Sequence, residues 1–433
     1  MKHKAMPKAS LHTLGCRLNQ AETAIIANKL QQHGFEIVDF GQKADLTVIN
    51  TCTVTEQADA KCRQAVRKSI RTNPDTFVTV IGCYAQMDVQ RIQQIKGVDL
   101  IIGNEHKMQL HEHLNGLTKY DRPQVIHTSK ISRDTFTIDT VGLFDAHTRA
   151  NLKVQDGCNF VCSFCIIATA RGPARSRSFD DIIREAYALR DMGFKEIVLT
   201  GVNIGTYQEK NYGFMDILKA LEKIDGIHRI RISSIEPTTV SYEILDYIAE
   251  SRKICKHLHI PVQSGDDRIL ESMRRKHDSH FFSDIIQYAY KNIPDVGIGT
   301  DVMVGYPGED DAAFSNTKKL LADLPIAYYH VFTYSDRKRT RSYKMRPKVD
   351  HNVKKHRNRI MIEQGNRQKH TFYQKSIGSQ MDVLFEQNAE GYWHGLSDNY
   401  IRVAAEGDNT LKNEIKKVHI TRMYGERLVG DLL

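Results

Sequence analysis

Long apolar runs are missing from this chain. Its 433 residues offer only strand-length stretches such as "FVTVIG" and "GIGTDVMVG", far short of the ~20 residues that span a bilayer. Low-complexity tracts are missing too, as are a P-loop, a dinucleotide-binding fingerprint, and any repeat beyond strand–helix alternation. The opening "MKHKAMPKASLHTLGC" has basic residues without an apolar core, so no secretory leader is expected. The chain reads as cytoplasmic, with no membrane association. Thiols stay reduced in that compartment, so eight cysteines point to metal or catalysis before disulfides.

What is present describes an ordinary globular protein, 41% hydrophobic and 26% charged, with length for two or three domains. A net charge of +9 favours a polyanionic partner such as nucleic acid, although a solvated basic surface gives the same number. The first third alternates strands ("SLHTLGC", "FEIVDF", "DLTVINTC", "TFVTVIGC", "GVDLIIGN") with helical runs, which predicts a parallel α/β sheet. Cys16, Cys52 and Cys83 each close one of these strands. The carboxyl ends of parallel strands share one edge, so these three thiols are expected to converge there. Three buried core cysteines would give the same pattern, and Cys62 and Cys255 fit that description better.

Residues 118 to 148 are polar and weakly patterned, as a linker would be. Six strand–helix units then follow, predicting a partial (β/α)6 barrel with its chemistry at the strand carboxyl ends. Directly after the first of these strands comes "DGCNFVCSFCIIATARGPARSR", with Cys158, Cys162 and Cys165 in C-x3-C-x2-C spacing. A structural zinc site closes with four ligands, and here a remote histidine would have to supply the last. Three thiolates on a 4Fe–4S cube instead leave one iron open to chelate a substrate. Lys354 to Lys375 forms a basic helix or a pair of short ones. The remainder has short alternating strands with Gly and Asn-Asp turns, the pattern of a small all-β, OB-like barrel.

These motifs resemble the radical S-adenosylmethionine (SAM) methylthiotransferase family along essentially the whole chain. The resemblance implies three domains: 1–125 with an auxiliary cluster, 126–370 as radical SAM core with linker, and 371–433 as a TRAM-type RNA-binding barrel. It implies two 4Fe–4S clusters, one on Cys158, Cys162 and Cys165 that cleaves SAM to a radical, the other on Cys16, Cys52 and Cys83 ("TLGCRLNQAE", "VINTCTV", "VIGCYAQ"). No catalytic residue is expected beyond these ligands. The stretches "LTGVN", "SSIEP", "HIPVQSGDDRIL" and "GTDVMVGYPGE" would surround SAM, with Gly201, Asn203, Ser234, Glu236, Gln263 and Asp301 as its contacts. Gly201, Gly265 and Gly299 suit a close backbone approach.

Arg171, Arg175 and Arg177 follow the cluster loop and are expected at RNA phosphates or the cofactor carboxylate, unless they are simply solvated. In the last domain Tyr392, Trp393 and Tyr400 are candidates for base stacking, with one such contact at most expected, and Lys416, Lys417, Arg422 and Arg427 for phosphates. Two departures from the family pattern are Ala168 in place of proline and the missing Pro-Gly-Thr turn in "HVFTYSDRKRTRSYKM". "LGCRLNQAE" resembles the branch acting on N6-threonylcarbamoyladenosine in tRNA, next to the anticodon. The other branches modify N6-isopentenyladenosine or a ribosomal-protein aspartate, and a non-enzymatic iron–sulfur RNA-binding protein is the alternative from another class. The expected partners are a tRNA anticodon stem-loop and a flavodoxin- or ferredoxin-like electron donor, with the protein a monomer.

Overall fold

The structure, a computed structural model, describes residues 6–142 and 148–433. Six strands open the chain: β1 (Lys8–Thr13), β2 (Glu36–Val38), β3 (Leu46–Thr51), β4 (Phe77–Gly82), β5 (Leu100–Ile102) and β6 (Gln124–Ile126). They form one parallel sheet in the order β2-β1-β3-β4-β5-β6. Every residue of β3 and β4 is buried, as expected of central parallel strands covered on both faces. The chain reverses direction of travel between β1 and β3, and ligands of doubly wound sheets bind at that switch point. β6 lies inside the segment expected to be only a linker. Its three residues add an edge strand through backbone pairing to β5, which a three-residue period cannot announce.

The middle of the chain forms two parallel three-stranded sheets. One joins β7 (Arg149–Lys153), β10 (Glu196–Thr200) and β13 (Arg229–Ile232); the other joins β14 (His257–His259), β15 (Gly297–Val304) and β16 (Tyr328–Thr333). Single bridges at Ile230–Ile254 and Ser234–His259 connect them, giving a six-stranded partial barrel around one apolar core. Between these strands lie two short pairings, β8 (Gln155–Asp156) with β9 (Arg175–Ser176) and β11 (Gln208–Glu209) with β12 (Tyr212–Gly213). The basic stretch is one continuous helix, His351–Gln374.

The last five strands, β17 (Gln380–Ala389), β18 (Tyr392–Ser397), β19 (Arg402–Ala405), β20 (Ile415–Tyr424) and β21 (Arg427–Leu432), close into a barrel ordered β17-β18-β19-β21-β20. Two arginines of β13 hold it against the larger barrel. Arg229 donates to the carbonyls of Leu396 (2.8 Å) and Asp382 (2.6 Å), and Arg231 to those of Asp398 (2.8 Å) and Ser397 (3.1 Å). Arg231 is also paired with the fully buried Glu196 at 2.6 Å. Replacing Arg231 with alanine leaves Glu196 buried without its nearest cation, and urea denaturation should then show a loss of about 3–5 kcal/mol. An unchanged midpoint would mean that this clamp contributes nothing.

Candidate functional site

Glycines place the first three cysteines. Gly15 has φ +104°, and a Cβ there would lie 2.8 Å from Cys52 Cβ and 3.1 Å from its Sγ, so the Cys16 loop presses directly on Cys52. Gly82 has φ +94° and no room beside Asn50 and Thr51, which turns the chain sharply into Cys83. Only glycine accepts such backbone angles at such proximity. Cys16 N-caps helix α1 (Arg17–Gln32) without spending its thiol on the cap, and Cys83 begins a short helix, Cys83–Met87. The three thiols are close enough to influence one another electrostatically. Cys62 and Cys255 are buried in the core, although Cys62 lies against the first triad, its thiol donating to the Cys52 carbonyl at 3.3 Å.

The second triad lies in the loop after β8. Backbone N–H groups of Phe160 and Ile167 point at the sulfurs of Cys158 (3.3 Å) and Cys165 (3.5 Å), and Arg275 Nη1 at Cys162 (3.6 Å). Such donors stabilise thiolates. Without a bound metal, burial pushes Cys165 up to about 12 and Cys52 up to about 11, so neither ionises by itself near neutral pH. A single zinc ion would draw its thiolates to roughly 3.8 Å from one another. Among the described residues, the one trio of potential metal donors within 4.8 Å of one another is His259, Asp301 and His330, so neither cysteine triad is closed around one ion. A cube, in which each thiolate has its own iron, asks for no such closure.

Charge supplies a second test of fit. Glu22 of α1 is fully buried and accepts from Lys107 (2.5 Å), Lys153 (2.8 Å) and Arg171 (3.0 Å). Asp156 accepts from Lys153 (2.7 Å) and Arg171 (2.9 Å). Three buried cations thus meet two carboxylates, a surplus of one positive charge. Arg175 adds a cation, with Glu105 at 3.0 Å as its match. Burial opposes ionisation of Glu22, but Arg171, Lys107 and Lys153 hold its carboxyl well below the usual range. The surplus tells on Lys107, which burial and then Arg171 push below its ordinary value. Arg171 also feels Cys83, and Asn104 joins Lys107 (2.8 Å) to Cys83 Sγ (3.6 Å). Thiolates of an iron–sulfur cluster are the anions this surplus lacks.

Beside the first triad, with Cys16 in its wall, opens a cavity of about 730 Å³. Its walls come from all three regions: Cys16 and Arg17 from the first sheet, Gly201, Ser234, Asp301 and Tyr328 from the barrel strands, and Glu386 and Tyr400 from the last barrel. A hydrogen-bonded string crosses it. Asp301 contacts His259 (2.8 Å) and His330 (3.2 Å), and the Tyr328 hydroxyl contacts His259 (3.3 Å) and His257 (2.9 Å). His257 stacks on Tyr400 with centroids 4.4 Å apart, and Arg17 donates to the Tyr400 hydroxyl at 3.2 Å.

Of the expected SAM contacts, Gly201, Ser234 and Asp301 line this cavity. Asn203 is buried with its side chain against the Cys158 thiol, and its amide has no other hydrogen-bond partner. Glu236 instead holds Arg275 at 2.6 Å, acting through the arginine that reaches Cys162. Gln263 has φ +72° and ties its backbone to Asp301 and Met303.

The arginine expectation needs correction. Arg171 and Arg177 are 2% and 0% exposed; the first is committed to Glu22 and Asp156, the second to Asp181 and Glu185, so neither is available to RNA. Arg175 is likewise engaged by Glu105. Trp393 is 4% exposed within the core of the last barrel, because five strands enclose room for large side chains and little else; it cannot stack on a base. Tyr400 reaches the cavity and Lys416 is exposed on β20. Sequence reading passed over Arg17, Arg149, His257, His259, Tyr328 and His330. Two of them, Arg17 and His259, stand inside motifs that had been singled out for other residues.

The fold and paired cysteine sites define an enzyme of the radical SAM class. Residues 152–321 match the radical SAM superfamily, and residues 8–103 match the family described as uncharacterized protein family UPF0004. The solved structure of TsrM from Kitasatospora setae, a radical S-adenosylmethionine methyltransferase with cobalamin and a [4Fe-4S] cluster bound, shares the fold with a TM-score of 0.58 at 12% identity, covering 78% of this chain and 77% of that one. The chain is 39% identical to the threonylcarbamoyladenosine tRNA methylthiotransferase MtaB of Aquifex aeolicus, over 92% of this chain and 97% of that protein. Its counterpart of the same name in Bacillus subtilis is 37% identical, over 96% and 94%. The tRNA-2-methylthio-N(6)-dimethylallyladenosine synthase of Pelotomaculum thermopropionicum is 31% identical, over 99% and 98%. The chain belongs to the radical SAM methylthiotransferase family.

Glu22→Gln should cost about 3–5 kcal/mol of stability, since it leaves buried cations without their shared partner. The carboxyl is depressed in the folded state, so its contribution is complete above the unfolded value of about 4.3 and fades as pH falls below it. The stability gap between wild type and variant should therefore stay flat from pH 7 to about 5 and narrow in stronger acid. A gap that widens on acidification would contradict the assignment.

Proposed function

We propose that this protein adds a methylthio group to C2 of N6-threonylcarbamoyladenosine at position 37 of tRNA, next to the anticodon. The observation that carries the reading is the shared cavity: Cys16 of one triad, strand ends beside the other, and Tyr400 of the last barrel line the same space. A reaction needing sulfur from one cluster and a radical from the other requires that juxtaposition. The relatives named for this activity match over nearly their full lengths.

In this reading Cys158, Cys162 and Cys165 hold the cluster that binds SAM, and Cys16, Cys52 and Cys83 hold the auxiliary one. When bound, these groups supply the radical that activates an inert C–H bond and the sulfur that replaces the hydrogen. The polypeptide's share is placement. Arg275 and Glu236 fix the loop of Cys162, Asn203 sets its amide against Cys158, and Asp301, held by His259 and His330, presents a carboxylate to the cavity. The two histidines keep Asp301 far below the ordinary carboxylate range in spite of burial, so it stays an acceptor throughout. The string from Asp301 to Tyr400 lines the cavity with hydrogen-bonding groups.

Residues 1–125, 126–370 and 371–433 serve as cluster domain, radical core with linker, and RNA-binding barrel. A second cavity of about 650 Å³ continues from the first along the last barrel, sharing Arg149, Glu386 and Tyr400 and adding Arg402 and Arg427 together with Glu390 and Glu426; it offers the stem-loop a polar path to the first cavity. A flavodoxin- or ferredoxin-like carrier brings the electrons, the protein acts as a monomer, and tRNA as substrate sets its work in the cytoplasm. Among the described residues no helix is long and apolar enough to cross a membrane.

Two measurements test this. Nucleosides from cells lacking the protein should lose the 2-methylthio form while the threonylcarbamoyl precursor accumulates; accumulation of the isopentenyl precursor would transfer the protein to the other tRNA branch. Anaerobically reconstituted protein should carry about eight irons, falling to about four when either cysteine triad is replaced by alanine. Retention of all the iron after loss of one triad would contradict the ligand sets.

A further inference from the structure

The cavity contains a charge without a counterpart. Arg231 is matched by Glu196 at 2.6 Å, Arg149 Nε donates to Glu386 at 2.6 Å, and Asp301 lies between two histidines. Arg17 has no carboxylate within ion-pair distance among the described residues; its side chain donates only to the Tyr400 hydroxyl, at 3.2 Å. A second observation points the same way. Arg149 Nη1 is buried and has no hydrogen-bond partner, although an orphaned buried donor costs about 1–3 kcal/mol. His257, 4% exposed on the same wall, leaves its Nδ1 unpartnered as well. Burial by itself would raise the Tyr400 phenol, yet Arg17, Arg149 and Arg231 bring it below its usual value, so the field at this wall is positive. The pocket is built for an anion that the polypeptide does not supply.

Which anion follows from the substrate, and this step rests on the reading of the preceding subsection. The threonylcarbamoyl arm on N6 ends in a carboxylate. Arg17 directly follows Cys16, so an anion at Arg17 sits beside the sulfur-bearing site, where the base itself has to be. Guanidinium groups grip carboxylates with paired, charge-assisted hydrogen bonds. We propose that Arg17 and Arg149 form the subsite for the threonyl carboxylate, with Tyr400 of the last barrel pinning Arg17 in place. The cation thereby selects the charged arm over a neutral one, because an unpaired guanidinium in this pocket disfavours an apolar substituent. Docking of the C-terminal barrel becomes part of substrate selection.

A backbone phosphate has the same chemistry, and the test separates the two. Full-length protein with both clusters is given two anticodon stem-loop RNAs, one with the threonylcarbamoyl arm and one with the arm's carboxylate capped as a methylamide. Dissociation constants are read by fluorescence anisotropy and kcat/KM by nucleoside mass spectrometry. Wild type should favour the carboxylate RNA by about 30-fold. Arg17→Gln should bring that ratio close to one by weakening only the carboxylate RNA, with Arg17→Lys restoring part of it. Tyr400→Phe, which leaves the Cys16 loop untouched, should lower the ratio too and keeps the idea testable if Arg17→Gln fails to fold. Equal weakening of both RNAs by Arg17→Gln would assign the arginine to a phosphate and overturn the subsite, as would no weakening of either. Wild-type turnover of an isopentenyl RNA with none of the threonylcarbamoyl RNA would instead remove the substrate reading, and the subsite with it.

Discussion

One buried carboxylate ties the N-terminal sheet domain to the barrel that carries the second cysteine triad. Glu22 lies on the first helix of the N-terminal sheet, yet its partners Lys153 and Arg171 belong to the barrel. Charges removed from water are tolerated only when closely matched, and separating such a group would expose several kcal/mol of uncompensated desolvation. Relative motion between sheet and barrel therefore carries a steep energetic cost. Because α1 begins at Cys16 and Arg171 follows the Cys158–Cys165 loop, the same contact that joins the two regions also sets one cysteine triad against the other.

The last barrel is held to the same frame by a different device. Arg229 and Arg231 satisfy backbone carbonyls at the ends of its strands, contacts that survive changes in side-chain identity on the barrel. What the barrel gives in return is specific: Glu386 and Tyr400 enter the central cavity. Tyr400 achieves this with φ +73°, a conformation costly for a bulky residue, stabilised here by stacking on His257 and a hydrogen bond from Arg17. A module that reads as an RNA-binding appendage is thus also a wall of the central cavity.

Sequence made the cysteines legible because strand ends and short spacings are local. The alternation of apolar strands with helices located both sheets, and turn-rich short strands located the last barrel. Arginine was legible only in part. Nothing near Arg171 announces Glu22, which lies 149 residues earlier, so a basic loop looked solvated. Arg177 was different: Asp181 stands four residues on and Glu185 eight, one and two helical turns away, and that spacing could have warned of internal pairing. Trp393 alternates with polar neighbours in a strand, a pattern that gives its face but not whether that face looks inward. The network from Asp301 to Tyr400 draws on β14, β15, β16 and the last barrel, and no linear motif joins them.

Among the described residues, two cations beside the cysteine sites lack a full counterpart, and they differ in kind. Around Arg171 the surplus is deeply buried, lies within electrostatic reach of Cys83, and adds to the burial that already lowers Lys107. A permanent anionic occupant relieves that strain, which is what cluster thiolates provide. Around Arg17 the surplus is half-exposed and borders open space, where a solvated guanidinium is tolerable and no permanent occupant is needed. A charge of that second sort suits a ligand that arrives and leaves. Burial alone thus separates the two kinds of surplus, although both act close to Cys16: Arg171 through its field, Arg17 as the next residue in the chain.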